Sequence, residues 1–498
     1  MKYILSIDQG TTSSRALIFD MQGALIVMAQ REITQYFPQP GWVEHDPVEI
    51  WESQLAVCLE AIRKAAIKPT DIQAIGITNQ RETTILWDKK TGQPVGRAIV
   101  WQDRRTANDC EKWIEQGHAD TIRGKTGLML DAYFSASKIR WVLTHNEWAY
   151  QLAAQNQLAF GTVDTWLLWN LTAGAVHATD ISNASRTMLF NIHTLQWDTD
   201  LLKLFGIPPS ILPEVKSNAC YFGQTTCLHP EISIPITGMA GDQQAALFGH
   251  RCDKKGMAKN TYGTGCFVVM NTGNSPINAS QRLISTIAWK INHQVTYALE
   301  GSIFVGGAVV QWLRDELQFF HESSEVEQLA QEVTDNGNVY FVPALSGLGA
   351  PYWDPHARGM MLGLTRGTSK AHIARAALES IAFQTCDVLQ AMQEDLKHPL
   401  TLLRADGGAT KNNWLMQFQS DMAGIMLQIP QMKEVTALGA ARFAALGAAL
   451  PDFLSTDSND SLNNTFEPNT DSIDRNRMLK KWQQAVSLCR QWHITDEL

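Results

Sequence analysis

What the chain has little of narrows it first. Eight cysteines in 498 residues (Cys58, Cys110, Cys220, Cys227, Cys252, Cys266, Cys386 and Cys489) are scattered with no C-x-x-C pair, so neither a zinc knuckle nor a disulfide framework is indicated. A reducing, cytoplasmic setting is expected. Positive charge is also in short supply: 41 Lys and Arg against 50 Asp and Glu leave a net charge of −9, which argues against a nucleic-acid partner or an anionic membrane surface. No uninterrupted apolar stretch approaches a membrane span, and the apolar run at the start is broken by Asp8, too soon for a signal segment. No membrane insertion is expected.

What remains is an ordinary globular composition, 45% hydrophobic and 18% charged, in a chain too long for one core; a prior of about 150 residues per domain gives two or three domains. Strand-like runs at 3–7, 16–19, 72–78, 83–87 and 98–101 alternate with helical patterns, the signature of an α/β chain. In "DPVEIWESQLAVCLEAIRKAAI" Asp46 is placed to cap, Pro47 suits the first helical position and Glu49 has capping-box spacing, with Trp51, Leu55, Cys58, Leu59 and Ile62 as the apolar face. Beyond about residue 450, "LSTDSNDSLNNTFEPNTDS" reads as a loop or mobile segment. A last amphipathic helix follows, with Met478, Trp482, Val486, Cys489 and Trp492 docking on the body.

Two hairpin-like stretches, "ILSIDQGTTSSRALIF" near the start and "AKNTYGTGCFVVM" at 258–270, each set Gly-Thr at the bend between extended runs. They suggest a duplicated unit with a cleft between the copies, although Gly-Thr turns are common. In the first, Gly10 exposes successive backbone N–H groups, Thr11, Thr12 and Ser13 add hydroxyls and Arg15 a fixed charge, all suited to phosphate oxygens. Asp8 would repel phosphate unless a cation lay between them, which points to Mg²⁺; a polar surface turn is the plain alternative.

Three further stretches bear on chemistry. "ITGMAGDQQAALFG" sets Asp242 between a Gly-rich bend and a helical run, where its carboxylate either caps the helix or projects into a cleft. "LLRADGGATKNNWLMQF" pairs Gly407 and Gly408 at a helix onset, open to close approach by a flat ligand, with Asn412 as a hydrogen-bonding group. "NQRE" at 79–82 is either a solvated hairpin tip or, through Arg81 and Glu82, a donor and acceptor for a polyhydroxyl ligand. Trp101 and Tyr133 are either core or an apolar wall for it. By contrast "GHADTIRGKT" has six residues between Gly117 and Gly124 where a phosphate loop has four, so Gly124 to Thr126 is assigned to an ordinary loop.

In this order along the chain, "DQGTTSSR", "GMAGDQQAALFG", "DGGATKNN", "YFSASKIRW" and "GMMLGLTRGTSKAHIARAALE" resemble the motifs of the FGGY carbohydrate kinases from about residue 3 to about residue 445. "GITNQRETT", "WVEHDP", "GTVDTWL", "NASRTMLFNI" and "KNTYGTGCF" resemble the glycerol branch rather than the pentulose branches. The resemblance implies an α/β fold of two duplicated ribonuclease-H-like domains of the actin and hexokinase type flanking a cleft. Residues 1–250 would bind glycerol and phosphate, and residues 251–498, with the C-terminal helix, the adenine nucleotide. It implies ATP-dependent phosphorylation of glycerol to sn-glycerol 3-phosphate, with ATP and Mg²⁺ as cofactors and a dimer or tetramer as the assembly.

Carried over by position, Asp8 would hold Mg²⁺, and Thr11, Thr12, Ser13 and Arg15 the phosphates. Arg81, Glu82, Tyr133, Asp242 and Gln243 would bind glycerol hydroxyls, Trp101 and Phe267 its carbon side. Thr264, Gly307, Gln311, Gly408 and Asn412 would line the nucleotide half, with Asp242 as general base. A kinase for another polyol or a xylulose-type ketose, and an actin- or chaperone-like ATPase switch, are the alternatives. The segments "TTCLHPEISIPITG", with His229, and "EPNTDSIDRNRMLKKW" depart from the family's regulatory motifs, so no regulator is implied.

Overall fold

The computed structural model describes residues 1–454 and 462–492. Two mixed sheets, of six and seven strands, dominate it and share one central arrangement. In the first, β1 (Tyr3–Gln9) lies between β2 (Ser13–Asp20) and β4 (Ile72–Asn79); β3 (Leu25–Glu32) lies outside β2, and β6 (Ile234–Gly241) and β5 (Ala219–Thr225) lie beyond β4. In the second, β7 (Met257–Tyr262) lies between β8 (Cys266–Gly273) and β11 (Leu402–Asp406). Outside β8 run β10 (Gln294–Ile303) and β9 (Ile284–Ile291); beyond β11 run β12 (Leu427–Pro430) and β13 (Leu462–Phe466).

The correspondence extends to direction. β1 is antiparallel to β2 and parallel to β4, as β7 is antiparallel to β8 and parallel to β11. The two Gly-Thr stretches therefore occupy equivalent places in a duplicated unit. Burial on both faces explains why β1 reads as a nearly continuous run, YILSIDQ, buried at every position.

Helix α1 (Pro47–Ala65) starts as its sequence dictates, with the Asp46 carboxylate accepting from Val48 N at 2.9 Å and Pro47 at the first position. Its buried face is rotated from the expected one. Ile50, Gln54, Val57, Cys58, Ala61 and Ile62 are inside, while Leu59 is 43% exposed, because the stripe follows the sheet it packs on. Glu49 closes no capping box; Thr34 N and Oγ1 both donate to it at 2.9 Å.

Helix α2 (Ser135–His145) belongs to the first half, α3 (Asp242–Gly249) follows β6, and α4 (Ala308–Asp315) and α5 (Lys370–Leu396) cover the second sheet. After α6 (Asn413–Ala423), α7 (Val435–Gly447) returns to the first sheet, where Leu438 and Ala441 join Ile4, Leu17 and Phe19 in one cluster. Contact is close because Gly76 and Gly238 have no side chain: a Cβ on either would lie 2.2 Å from α7 backbone. The C-terminal α8 (Ser472–Gln491) docks through Trp482, Val486 and Cys489, and Trp482 donates to buried Asp387 at 2.7 Å. Trp492 does not join it and is 60% exposed.

Two expectations are corrected. Residues 124–126 are the last turn of a helix, Ala119–Thr126, closed by Gly127 in the left-handed conformation, and Lys125 pairs with Asp198 and Asp200. The polar stretch after 450 is not wholly loop, since Leu462–Phe466 pairs with β12; residues 455–461 of that expectation lie outside the described residues.

Candidate active site

The first hairpin turns at Gly10, whose N–H donates to Ser13 O at 2.9 Å. Cross-strand register puts Asp8 opposite Arg15, so the side chain expected to hold a cation and the one expected to hold phosphate form an ion pair. Arg15 also binds Glu434, just before α7, at 2.7 Å. Asp8 is buried, which raises its carboxyl pKa; Arg15 opposes the shift, and the nearby charges of Asp242 and Glu434 add to it. Thr12 is exposed at the turn, Thr11 half-buried, and Ser13 accepts from Gln30 Nε2 at 3.2 Å.

"NQRE" is no solvated tip: Arg81 is 3% exposed and Glu82 1%. Asn79 and Gln80 hold the segment, Gln80 reaching Gly10 O at 3.2 Å and His45 Nδ1 at 3.4 Å. His45 in turn meets Gln35 Oε1 at 2.7 Å through Nε2, so the network assigns the neutral tautomer with the proton on Nε2. Burial lowers its pKa to about 4.

Around Arg81 and Glu82 lies a buried charge cluster. Arg81 Nε is 3.2 Å from Asp242 Oδ1, and its two terminal nitrogens meet the two oxygens of Glu300 at 2.6 and 3.0 Å. Arg186 joins Glu82 at 2.6 Å to Glu300 at 3.0 Å. Burial raises the Glu82 carboxyl against the pull of Arg186 and Arg81. For Glu300, burial is outweighed by the same two guanidiniums, and its pKa falls to about 2. Tyr133 sits at the start of α2; burial, then Glu82, raise its phenol, which keeps it a neutral donor.

Trp101 stands edge-on to Tyr133 at 5.6 Å between ring centres and donates to Thr11 Oγ1 at 3.0 Å. The expected apolar wall is therefore tied to the phosphate turn. Asp242 opens α3, its Oδ1 2.7 Å from Gln243 N, with the side chain 32% exposed. It caps little and faces open space beside Arg81. Gln243 Oε1 is bound by Lys259 Nζ, from β7.

In the second half, Thr264 is exposed at the second hairpin bend, and its carbonyl accepts from Gly306 and Ala308 at 2.8 and 3.1 Å. That places Gly307 at the start of α4, with Gln311 one turn on and exposed. Gly407, at φ +95°, lies where a Cβ would meet Tyr262 O at 2.4 Å, and Gly408 opens into free space. Asn412 caps α6 by accepting from Leu415 N at 2.8 Å, which leaves its amide N–H₂ for a ligand. Phe267 on β8 is half-buried. The expected residues thus gather in two groups, one at each hairpin.

The sequence reading did not single out Arg186, Glu300, Lys259, His250 or Glu434. The signal for two of them was present, since Glu300 in "VTYALEGSI" and Lys259 in "MAKNTY" are lone charges within strand-like runs, and each is 0% exposed. A charge buried there must be paired. His250, at the end of α3, holds Asp406 on β11 at 2.9 Å.

Equivalent hairpins in two sheets, one beside a charge cluster and the other packed on glycine, are a layout suited to phosphoryl transfer. The chain belongs to the FGGY family of carbohydrate kinases, whose N-terminal domain matches residues 3–249 and C-terminal domain residues 258–448. It is 55% identical over 493 residues to glycerol kinase 2 of Thermotoga maritima, with 99% of both chains covered. Glycerol kinase of Chromobacterium violaceum is 55% identical over 494 residues, covering 99% of this chain and 98% of that one. Among solved structures, Plasmodium falciparum glycerol kinase with ADP superposes with a TM-score of 0.94 at 38% identity, covering 98% of each chain. Gluconate kinase from Lactobacillus acidophilus, at 21% identity, 99% coverage of each chain and a TM-score of 0.89, shares the fold.

Proposed function

We propose that this protein transfers the γ-phosphoryl group of ATP to glycerol, giving sn-glycerol 3-phosphate and ADP. The observation that carries the acceptor side is the burial of Arg81 and Glu82 together beside Asp242, with the Trp101–Tyr133 edge next to them. A donor and an acceptor fixed on one wall suit adjacent hydroxyls, and an aromatic edge suits the carbon side. The choice of glycerol among acceptors is supported by the name that full-length relatives at 55% identity carry.

In this reading Asp242 accepts the proton of the attacking hydroxyl as that oxygen bonds to the γ-phosphorus and ADP leaves in line. Arg81, Glu82, Tyr133 and Gln243 orient the triol, and Trp101 and Phe267 cover its carbons. Thr11, Thr12, Ser13 and the backbone N–H groups of the first turn receive the phosphates, while Thr264, Gly307, Gln311, Gly408 and Asn412 face the nucleotide. Arg15 would reach phosphate by loosening from Asp8 or Glu434.

Asp8 would suit a hard cation once Arg15 is drawn off its carboxylate. A buried carboxylate lies near that of Asp242, whose charge it feels, and among the described residues no group of three His, Cys, Asp or Glu stands ready to hold a metal. Mg²⁺ there would complete its shell with phosphate oxygens and water, and when bound would neutralise charge on the phosphates. Eight free thiols support a reducing cytoplasm, and among the described residues no helix is long and apolar enough to cross a membrane. Assembly as a dimer or tetramer belongs to the same reading, and sedimentation tests it.

The deciding experiment is ADP release from Mg-ATP with glycerol, xylulose, ribulose, gluconate or no acceptor. Turnover is expected with glycerol and lost in Asp242→Asn. Turnover that follows a ketose, or ignores every acceptor, overturns the reading.

A further inference from the structure

The charge cluster behind the acceptor wall leaves a constraint on how Arg81 can meet a ligand. A guanidinium has five N–H groups. In Arg81, Nε faces Asp242 Oδ1 at 3.2 Å, Nη1 donates to Glu300 Oε2 at 2.6 Å and Gln244 Oε1 at 3.3 Å, and Nη2 donates to Glu300 Oε1 at 3.0 Å. Among the described residues the second hydrogen of Nη2 has no partner, and the Nε–H has an ion contact with Asp242 but no hydrogen bond. Glu82 is similar: Oε1 accepts from Arg186 Nε at 2.6 Å, which turns Oε2 to other donors.

What sets these directions is Glu300. It lies on β10 in the second sheet, whereas Arg81 and Arg186 come from the first half of the chain. Its carboxylate, fully buried, takes both ends of the Arg81 fork and one end of Arg186. Arg186 Nη1 is buried without a hydrogen-bond partner, and the guanidinium lies 5.3 Å from the Phe134 ring centre. Among the described residues Glu82 and Glu300 are the hydrogen-bond partners that hold Arg186. Buried ion clusters are poor devices for stability, since apolar replacements of equal volume are often as good. A bidentate clamp on a ligand-facing arginine does something an apolar side chain cannot, because it fixes the heading of the donors left free.

We propose that Glu300 is a positioning residue for acceptor recognition, through which the second half of the chain orients Arg81 directly and Glu82 by way of Arg186. This rests on the reading of the site as a glycerol-phosphorylating one. The presented groups, a guanidinium N–H and a carboxylate oxygen, match a vicinal diol in which one hydroxyl accepts from Arg81 while its neighbour donates to Glu82. An acceptor lacking one of those hydroxyls leaves a buried charged group unsatisfied.

The test compares wild type with Glu300→Gln, Glu300→Asp and Arg186→Lys, using glycerol and propane-1,2-diol as acceptors and ATP varied separately. Glu300→Gln keeps shape but leaves Arg81 loosely held. The expected result is a KM for glycerol raised about tenfold or more, a KM for ATP changed less than about twofold, and a preference for glycerol over the diol cut by about tenfold. Arg186→Lys, which keeps the charge but not the bridge, is expected to shift the same ratio in the same direction. Equal changes in both KM values, or an unchanged preference in a variant with native circular dichroism, overturn the proposal. If Glu300→Gln does not fold, Arg186→Lys decides by the same two readouts. Failure of wild type to use glycerol is a different outcome, since it removes the functional reading on which the proposal rests.

Discussion

The two hairpins hold equivalent positions in equivalent sheets, yet they are furnished for different work. One step before the bend, the first pairs Asp8 with Arg15 and the second pairs Thr261 with Phe267. The first is surrounded by ionised groups, Glu434 among them. The second is packed against glycine, with Gly306, Gly307 and Gly407 pressed on its backbone. Duplication supplied two supports alike at their centre, and divergence placed charge at one and open backbone at the other. In the proposed reading phosphoryl transfer would use both, since charged oxygens need donors and counter-charge while a flat base needs close approach.

Exchanging the characters of the two hairpins should break this division, beginning with the reactive end. Asp242→Asn is expected to lower kcat by about 10²–10⁴-fold in a steady-state ADP assay. Thr264→Ala at the second bend should leave kcat within about a few fold and act on the KM for ATP. Loss of kcat at Thr264 equal to that at Asp242 would erase the distinction.

Below this in size is a pH effect beside the first hairpin, which His45 reaches through Gln35 and Gln80. His45 is neutral in the fold, with a pKa near 4 instead of 6.5, so between those values the unfolded chain binds the proton that the native chain refuses. Stability from this group is complete above pH 6.5 and falls as pH drops to 4, by on the order of 3 kcal/mol. Urea melts from pH 7 to 4 should show that slope, and His45→Gln should flatten it.

Backbone changes come next. Gly407→Ala places a Cβ 2.4 Å from Tyr262 O at φ +95° and is expected to cost about 1–3 kcal/mol in a denaturant melt, with weaker nucleotide binding. Gly10→Ala at the first turn meets only Ser13 O at 3.3 Å and should cost under about 1 kcal/mol. A larger loss at Gly10 than at Gly407 would reverse the comparison, making glycine more important at the first bend than against the second hairpin.

Much of the site was legible from local signals. The hairpin at Gly10, the cap at Asp46, the onset of α3 at Asp242 and the glycines at 407 and 408 each follow from turn and cap chemistry within a few residues. The exact buried face of α1 was not, since the 3.6-residue period gives a stripe but the sheet beneath chooses its centre. Residues 124–126 were misread because a Gly-Lys-Thr string in a helix's last turn looks like a loop without its neighbours. Glu300 and Lys259 were visible as anomalies, charges inside strand runs, but their partners lie 219 and 16 residues away in sequence.

By itself the sequence determined most of the elements and the chemical types available, and suggested the repeat, because propensity, capping and alternation act over a few residues. Only the tertiary structure decided that "NQRE" is buried rather than solvated, that Arg15 is shared between Asp8 and Glu434, and that the second sheet clamps Arg81. Those outcomes depend on charge pairing across elements far apart in the chain, and a buried charge is tolerable only where the fold brings its counter-charge within hydrogen-bonding distance.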